Sequence, residues 1–224
     1  MAQFFFKHPT TVVLAGPTQC GKTHLLISAI RRQCFKPEPQ RIVWVYGEMQ
    51  PAYEDLARDI PSIEFVNGFA NELYESFDSR VRNLLILDDQ MENKAVHKRG
   101  DNAVTKFFTQ GSHHRNLTVV YIVQNLFNQD AAMRTISLNT HYMVLFKNPR
   151  DATQIRTLGQ QMYPDTPRML VDAYRDATSE PYGYLLLNLR PDACDALRIL
   201  THVFAKQPTA YVPLETARKA MQRP

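Results

Sequence analysis

Eight residues, Gly16-Pro17-Thr18-Gln19-Cys20-Gly21-Lys22-Thr23, restrict the folds open to this chain more than any other stretch. They fit G-x-x-x-x-G-K-[ST], a loop that wraps a run of phosphates and needs a buried strand before it and a helix after it. Both flanks are present. Residues 11–15 are β-branched and apolar, as a buried strand requires, and residues 24–32 carry a broad apolar face at helical spacing. The glycines let backbone N–H groups turn toward phosphate oxygens, and the helix N-terminus adds its partial positive charge. Lys22 is then the residue that reaches the β- and γ-phosphates, and the Thr23 hydroxyl a ligand of Mg²⁺. The plain alternative is a glycine-rich strand–helix turn that matches by chance, and the flanks weigh against it.

With 224 residues, one domain with a large α/β core is the natural expectation. Hydrophobic content of 44% and charged content of 21% are ordinary for a globular protein. No apolar run approaches membrane-spanning length, and the segment around Phe4-Phe5-Phe6 is too short for a signal-peptide core. An intracellular protein is therefore expected, with no membrane partner. Cys20, Cys34 and Cys194 have no metal-binding spacing, and an odd count suits reduced thiols. A net charge of +4 is compatible with nucleic acid without demanding it.

Further along, near-continuous apolar runs at 41–46, 83–88, 117–123, 142–146 and 182–189 read as strands, with a short alternating strand at 63–66. Helical patterns fall at 52–59, 71–77, 102–110, 131–138, 152–161 and 167–175, and 90–101 reads as a polar loop. Apolar strands alternating with helices predict an α/β fold with a mainly parallel sheet covered by helices on both faces. Residues 1–190 form the expected core, and 191–224 a tail that packs on it or on a neighbouring subunit. Ligands in such folds sit at the carboxyl ends of strands, so the glycine-rich loop, Asp88-Asp89 and Gln124 should converge.

Asp88 closes an apolar strand, the Walker B pattern, and can hold Mg²⁺; Asp89 is placed to orient and deprotonate the attacking water. An acid pair capping a turn is the simpler alternative. At least one strand, 41–46, intervenes between the two motifs, which fits the additional-strand division of P-loop NTPases, RecA-like in architecture. The catalytic acid there is usually Glu, and Asp is one methylene shorter, so the water must sit closer to the strand end. Gln124 ends another strand, where an amide can bond both γ-phosphate and water as a sensor; a polar strand terminus is the alternative. Arg115, in Ser112-His113-His114-Arg115-Asn116, is a candidate arginine finger, or a basic residue complementing a helix C-terminus; Arg134 and Arg150 are rivals. His113 and His114 diverge and lack a third ligand. Lys94, His97, Lys98 and Arg99 are either contacts to a phosphate backbone or a solvated loop. Trp44 and Phe4-Phe5-Phe6 read as packing residues. Cys20, beside Lys22 and a helix N-terminus, is expected to favour its thiolate.

The set GPTQCGKT, NLLILDD, GSHHRNLTVVYIVQNLF, RTISLNTHYMVLFKNPRD and EPYGYLLLNL resembles the genome-packaging ATPases of the FtsK–HerA superfamily in Polinton/Maverick-type elements, adintoviruses and related DNA viruses. The resemblance covers roughly residues 10–190, and the long runs are more specific than the Walker motifs. It implies a RecA-like core with strand order 5-1-4-3-2. It also implies a ring-shaped homo-oligomer, a pentamer or hexamer, that hydrolyses ATP with Mg²⁺ to drive double-stranded DNA into a capsid through a capsid or portal vertex protein. The implied place is the viral assembly site, the host nucleus ahead of the cytoplasm, with virion association a further expectation. Lys22 and Thr23 match its Walker A residues, Asp88 and Asp89 its Walker B pair, Gln124 its strand-end glutamine and Arg115 its trans-acting arginine. An ATP-dependent assembly factor or slow nucleotide switch is the competing reading; a vestigial loop in a structural vertex protein is a third, disfavoured by the intact motif set.

Overall fold

A computed structural model describes residues 4–69, 71–88, 103–125, 131–150 and 152–213. β1 (Phe6–Lys7) leads into β2 (Thr11–Ala15), and α1 (Lys22–Arg31) follows the glycine-rich loop. β3 (Phe35–Lys36), β4 (Arg41–Tyr46), α2 (Pro51–Asp59), β5 (Ile63–Asn67), a 3₁₀ turn (Asn71–Ser76) and β6 (Asn83–Asp88) come next. α3 (Ala103–Lys106), a π turn (Phe107–Gly111) and α4 (Ser112–His114) make one run of helix ahead of β7 (Leu117–Val123). Then follow α5 (Ala131–Leu138), β8 (Tyr142–Phe146), α6 (Ala152–Met162), α7 (Arg168–Ala177) and β9 (Tyr184–Asn188). β10 (Ile199–Thr201) and β11 (Thr209–Tyr211) complete the described chain.

Among the described residues, nine strands form one sheet in the order β11-β10-β9-β8-β2-β7-β6-β4-β5, while β1 and β3 pair separately. From β8 to β5 every pairing is parallel. Numbered along the chain, the five strands β8-β2-β7-β6-β4 read 5-1-4-3-2, the order that the resemblance implied. β7 lies between β2 and β6, so a strand separates the glycine-rich loop from Asp88 in space as well as in sequence.

Why these strands sit inside follows from their side chains. Successive residues point to opposite faces, and both faces are apolar. Val13, Val43, Val45, Leu85, Leu87, Val119 and Tyr121 pack with Phe107, Met133, Ile155 and Leu170 on one face. Val12, Leu14, Ile42, Trp44, Leu84, Ile86 and Val120 pack with Leu26, Ile30, Tyr53 and Leu56 on the other. Each fully buried side chain of this size contributes about 1.5–3 kcal/mol by leaving water. The Phe4-Phe5-Phe6 run belongs partly to this second layer: Phe6 is buried and stacks on Phe35 with centroids 5.0 Å apart, while Phe5 is 37% exposed.

The parallel rule stops at β8. β9 runs antiparallel to it, and β10 and β11 continue antiparallel. Two helices, α6 and α7, bridge β8 and β9, and the second reverses the chain again, so β9 re-enters from the carboxyl end of β8. The 190/191 boundary read from sequence falls between β9 and β10, which pair in the same sheet.

The opposite end of the sheet is closed by polar bonds. His8 Nδ1 lies 2.7 Å from Thr118 Oγ1 and its Nε2 lies 3.0 Å from Asn116 Oδ1. Burial lowers the His8 pKa and keeps the ring neutral. Asn83 Nδ2 donates to the carbonyls of Asp78, Val81 and Arg115, fixing the entry to β6 and β7.

Candidate functional site

The carboxyl ends of β2, β6 and β7 meet around a cavity of about 430 Å³, lined by Thr18 to His24 together with Gln50, Ala52, Asp88 and Gln124. The predicted convergence therefore holds for Lys22, Thr23, Asp88 and Gln124. A slightly larger cavity of about 490 Å³ lies at the far ends of α1 and α2, lined by apolar side chains, by Gln33, Glu38 and Ser62, and by the surface ion pair Arg31–Asp59. It holds none of the motif residues.

Local chemistry explains the loop. Gly16 has no room for a side chain: a Cβ there would meet Phe146 Cβ at 2.7 Å and Cys20 Sγ at 2.8 Å. Gly21 has φ +101°, and Gln19 shares the left-handed region at φ 63°. These turns are the geometry from which anion-binding backbone nests are made. Gly21 is also the N-cap of α1, where no side chain caps the helix and no acid sits in the first turn. The first N–H groups of α1 are thus left for an anion. Lys22 Nζ donates to the carbonyls of Gly16 at 2.6 Å and Pro17 at 2.8 Å, folding back over the loop.

Asp88 is buried at 4% exposure. Its Oδ2 accepts from Tyr53 Oη at 2.7 Å and faces Thr23 Oγ1 at 3.5 Å. A hydroxyl and a carboxylate side by side at the foot of a phosphate loop fit Mg²⁺, which takes one or two protein oxygens and completes its shell from phosphate and water. Among the described residues there is no cluster of three or more His, Cys, Asp or Glu, as a dedicated cage would need. Tyr53 and Gln50 were not singled out from sequence. Tyr53 bonds a residue 35 positions away, and local periodicity shows only a helix there.

One expectation fails. Cys20 does not favour its thiolate: burial pushes its pKa up, outweighing the attraction of Lys22, whose Nζ lies 3.8 Å from the sulfur. The sulfur sits toward Gly16 and packs against the apolar layer under α1. Cys20 can therefore offer a nucleotide its backbone.

Arg115 stands at the other end of β7 from Gln124. Seven residues of strand separate them, roughly 25 Å at the usual rise. Its backbone N–H closes the preceding helix on Gly111, and its guanidinium bonds Glu75 and lies 5.1 Å from the centre of the Tyr74 ring. Lys106 joins the same group, with Nζ 3.9 Å from the Tyr74 centroid. Arg150 is exposed on the turn after β8, at the end of the sheet that carries the phosphate loop, and Arg134 is exposed on α5. Asp89, Lys94, His97, Lys98 and Arg99 lie outside the described residues, as does the side chain of His113. No helix among the described residues is long and apolar enough to cross a membrane.

No protein-family model and no curated protein sequence matches the chain. Solved structures do. The genome-packaging NTPase B204 from Sulfolobus turreted icosahedral virus 2, in complex with sulfate, superposes with a TM-score of 0.53 at 12% identity, covering 92% of this chain and 97% of that one. Its complex with ATP-γ-S gives 0.51 at 13% identity, with 92% and 97% covered. B204, the DNA-packaging ATPase from Sulfolobus turreted icosahedral virus, gives 0.50 at 10%, with 92% and 98% covered. The chain has the fold of a P-loop ATPase. In that fold the glycine-rich loop joins β2 to α1, and Asp88 ends a strand two places along the sheet from β2.

Proposed function

We propose that this P-loop protein is an ATP-hydrolysing translocase that packages double-stranded viral DNA into a capsid, working as a pentameric or hexameric ring. The observation that carries the reading is the meeting of Lys22, Thr23, Asp88 and Gln124 on one cavity. Its breadth comes from the likeness in fold to viral packaging NTPases along 92% of the chain.

In this reading Lys22 exchanges its carbonyl partners for the β- and γ-phosphate oxygens, placing a point charge where negative charge develops. Thr23 and Asp88 would hold Mg²⁺, with Tyr53 keeping the Asp88 carboxylate in place. When bound, the cation neutralises charge on the phosphate oxygens. Gln124 orients the attacking water, and Asp89 accepts its proton. The distance of Arg115 from its own phosphate loop supports its use as a finger by a neighbouring subunit. Double-stranded DNA, a capsid or portal vertex protein and a second copy of the chain are the proposed partners, and the viral assembly site in the host, nucleus before cytoplasm, is the proposed place.

The test is ATPase turnover with and without linear double-stranded DNA, read alongside images of the protein with DNA and a non-hydrolysed ATP analogue. DNA stimulation and a ring around DNA are expected. Slow turnover indifferent to DNA would overturn the motor in favour of a nucleotide-dependent assembly factor.

A further inference from the structure

We infer that Tyr182 is the platform on which the purine base of the nucleotide stacks. The inference rests on the reading of the Walker A loop as a nucleotide site and adds to it the end of the ligand that the motifs leave unassigned.

Strand order polarises the loop. β7 and β6, which carry Gln124 and Asp88, lie on one flank of β2, while β8 and β9 lie on the other. A nucleotide whose γ-phosphate faces Asp88 and Gln124 extends back along the loop, and its base leaves toward β8 and β9. Tyr182 stands there, just ahead of β9. A Cβ built on Gly21 would lie 3.2 Å from Tyr182 Cδ1, 3.5 Å from its Cβ and 3.6 Å from Phe146 Cε1. The tyrosine thus borders the residue that opens the helix on the phosphates.

Two further features set it apart. Its side chain stays out of the core although it is large: Tyr182 is 72% exposed, whereas the neighbouring Tyr184 is buried at 7%. Its backbone is left-handed at φ 62°, a conformation rare for a bulky residue. The turn imposes that conformation from below. Gly183 donates its N–H to Glu180 O at 3.1 Å, and a side chain on Gly183 would strike the Ala177 and Glu180 carbonyls. The strained backbone holds an aromatic face in solvent beside a phosphate loop, which is an arrangement for stacking a flat ring. Because the contact is to a π-face, it favours the larger purine ring and reads little of its hydrogen-bonding edge.

The test uses the full chain, with Mg-ATP and inorganic tripolyphosphate as separate probes in equilibrium titrations of wild type, Tyr182→Ala and Tyr182→Phe. Tyr182→Ala should bind ATP about tenfold more weakly while binding tripolyphosphate like wild type, which also shows that the variant is folded. Tyr182→Phe keeps the ring and should restore ATP affinity. If Tyr182→Ala binds ATP as wild type does, the platform is wrong while the nucleotide site stands. Equal losses for both probes would make Tyr182 a brace of the loop and overturn the inference. So would a variant with altered assembly and unaltered ATP affinity, which would make the ring a subunit contact. Wild-type protein that binds neither probe would remove the nucleotide site itself, and the platform with it.

Discussion

Tyr53 does for Asp88 what the strand end cannot: it supplies a directed O–H at 2.7 Å, inside a layer where the carboxylate is 4% exposed. Tyr53→Phe keeps the ring between Trp44 and Phe65 and removes only that donor. Groups that orient a metal ligand typically account for about 10–100-fold in affinity. The Mg²⁺ concentration giving half-maximal ATPase rate should therefore rise about tenfold or more, alongside a loss of about 1–3 kcal/mol in stability because a buried carboxylate loses a donor. An unchanged Mg²⁺ midpoint would remove Tyr53 from the site. Cys20 makes a second residue-scale prediction. Its thiol pKa lies above the ordinary 9.0 because of burial, so near pH 8 it is held as the unreactive thiol. Thiol reagents should label exposed Cys194 well before Cys20; the reverse order would mean that the sulfur faces solvent. These two residues mark where sequence reading stops. Lys22, Thr23, Asp88 and Gln124 were legible because each sits at a fixed offset from a strand end. Tyr53 reaches Asp88 only through the fold, and the packing of the Cys20 sulfur against the apolar layer under α1 is likewise a tertiary contact that no local pattern encodes.

At the scale of elements, the α6–α7 pair decides how the sheet ends. The two helices approach closely at Gly159, where a Cβ would lie 2.5 Å from the carbonyl oxygen of Pro167, the residue that caps α7. Backbone on the opposing side cannot rotate away, so Gly159→Ala should destabilise the fold by about 1–3 kcal/mol. Chemical denaturation measures it; a neutral result would show that the two helices separate freely. Placement of strands and helices was readable because apolar runs and helical spacing are local. The antiparallel entry of β9 was not, since a buried run such as Tyr184–Asn188 has the same composition in either direction. Only the count of helices before it sets its sense. β10 and β11, at three residues each, are too short for any periodicity to register.

At the scale of the whole molecule, hydrolysis should depend on assembly. Lys22→Ala removes the phosphate charge, and Arg115→Ala removes the proposed finger, which typically costs on the order of 10³ or more in rate. Each variant alone should be inactive. In the proposed ring, mixed assemblies would contain interfaces that pair an intact phosphate loop with an intact Arg115, so mixing should recover part of the ATPase rate. No recovery in rings shown to be mixed would move Arg150 ahead of Arg115, because it already lies at the carboxyl end of the sheet. β7 adds a mechanical corollary. It is bonded to β2 over five residue pairs and to β6 over six, and all seven of its residues are buried. Slipping by one residue would turn every side chain to the wrong face, and a close-packed interior barely compresses. The strand is thus a stiff rod with Gln124 at one end and Arg115 at the other, tied to the sheet along its length. In the ring proposed above, slack would then belong to the joints between subunits, and the motion of each subunit would be a rigid-body rotation.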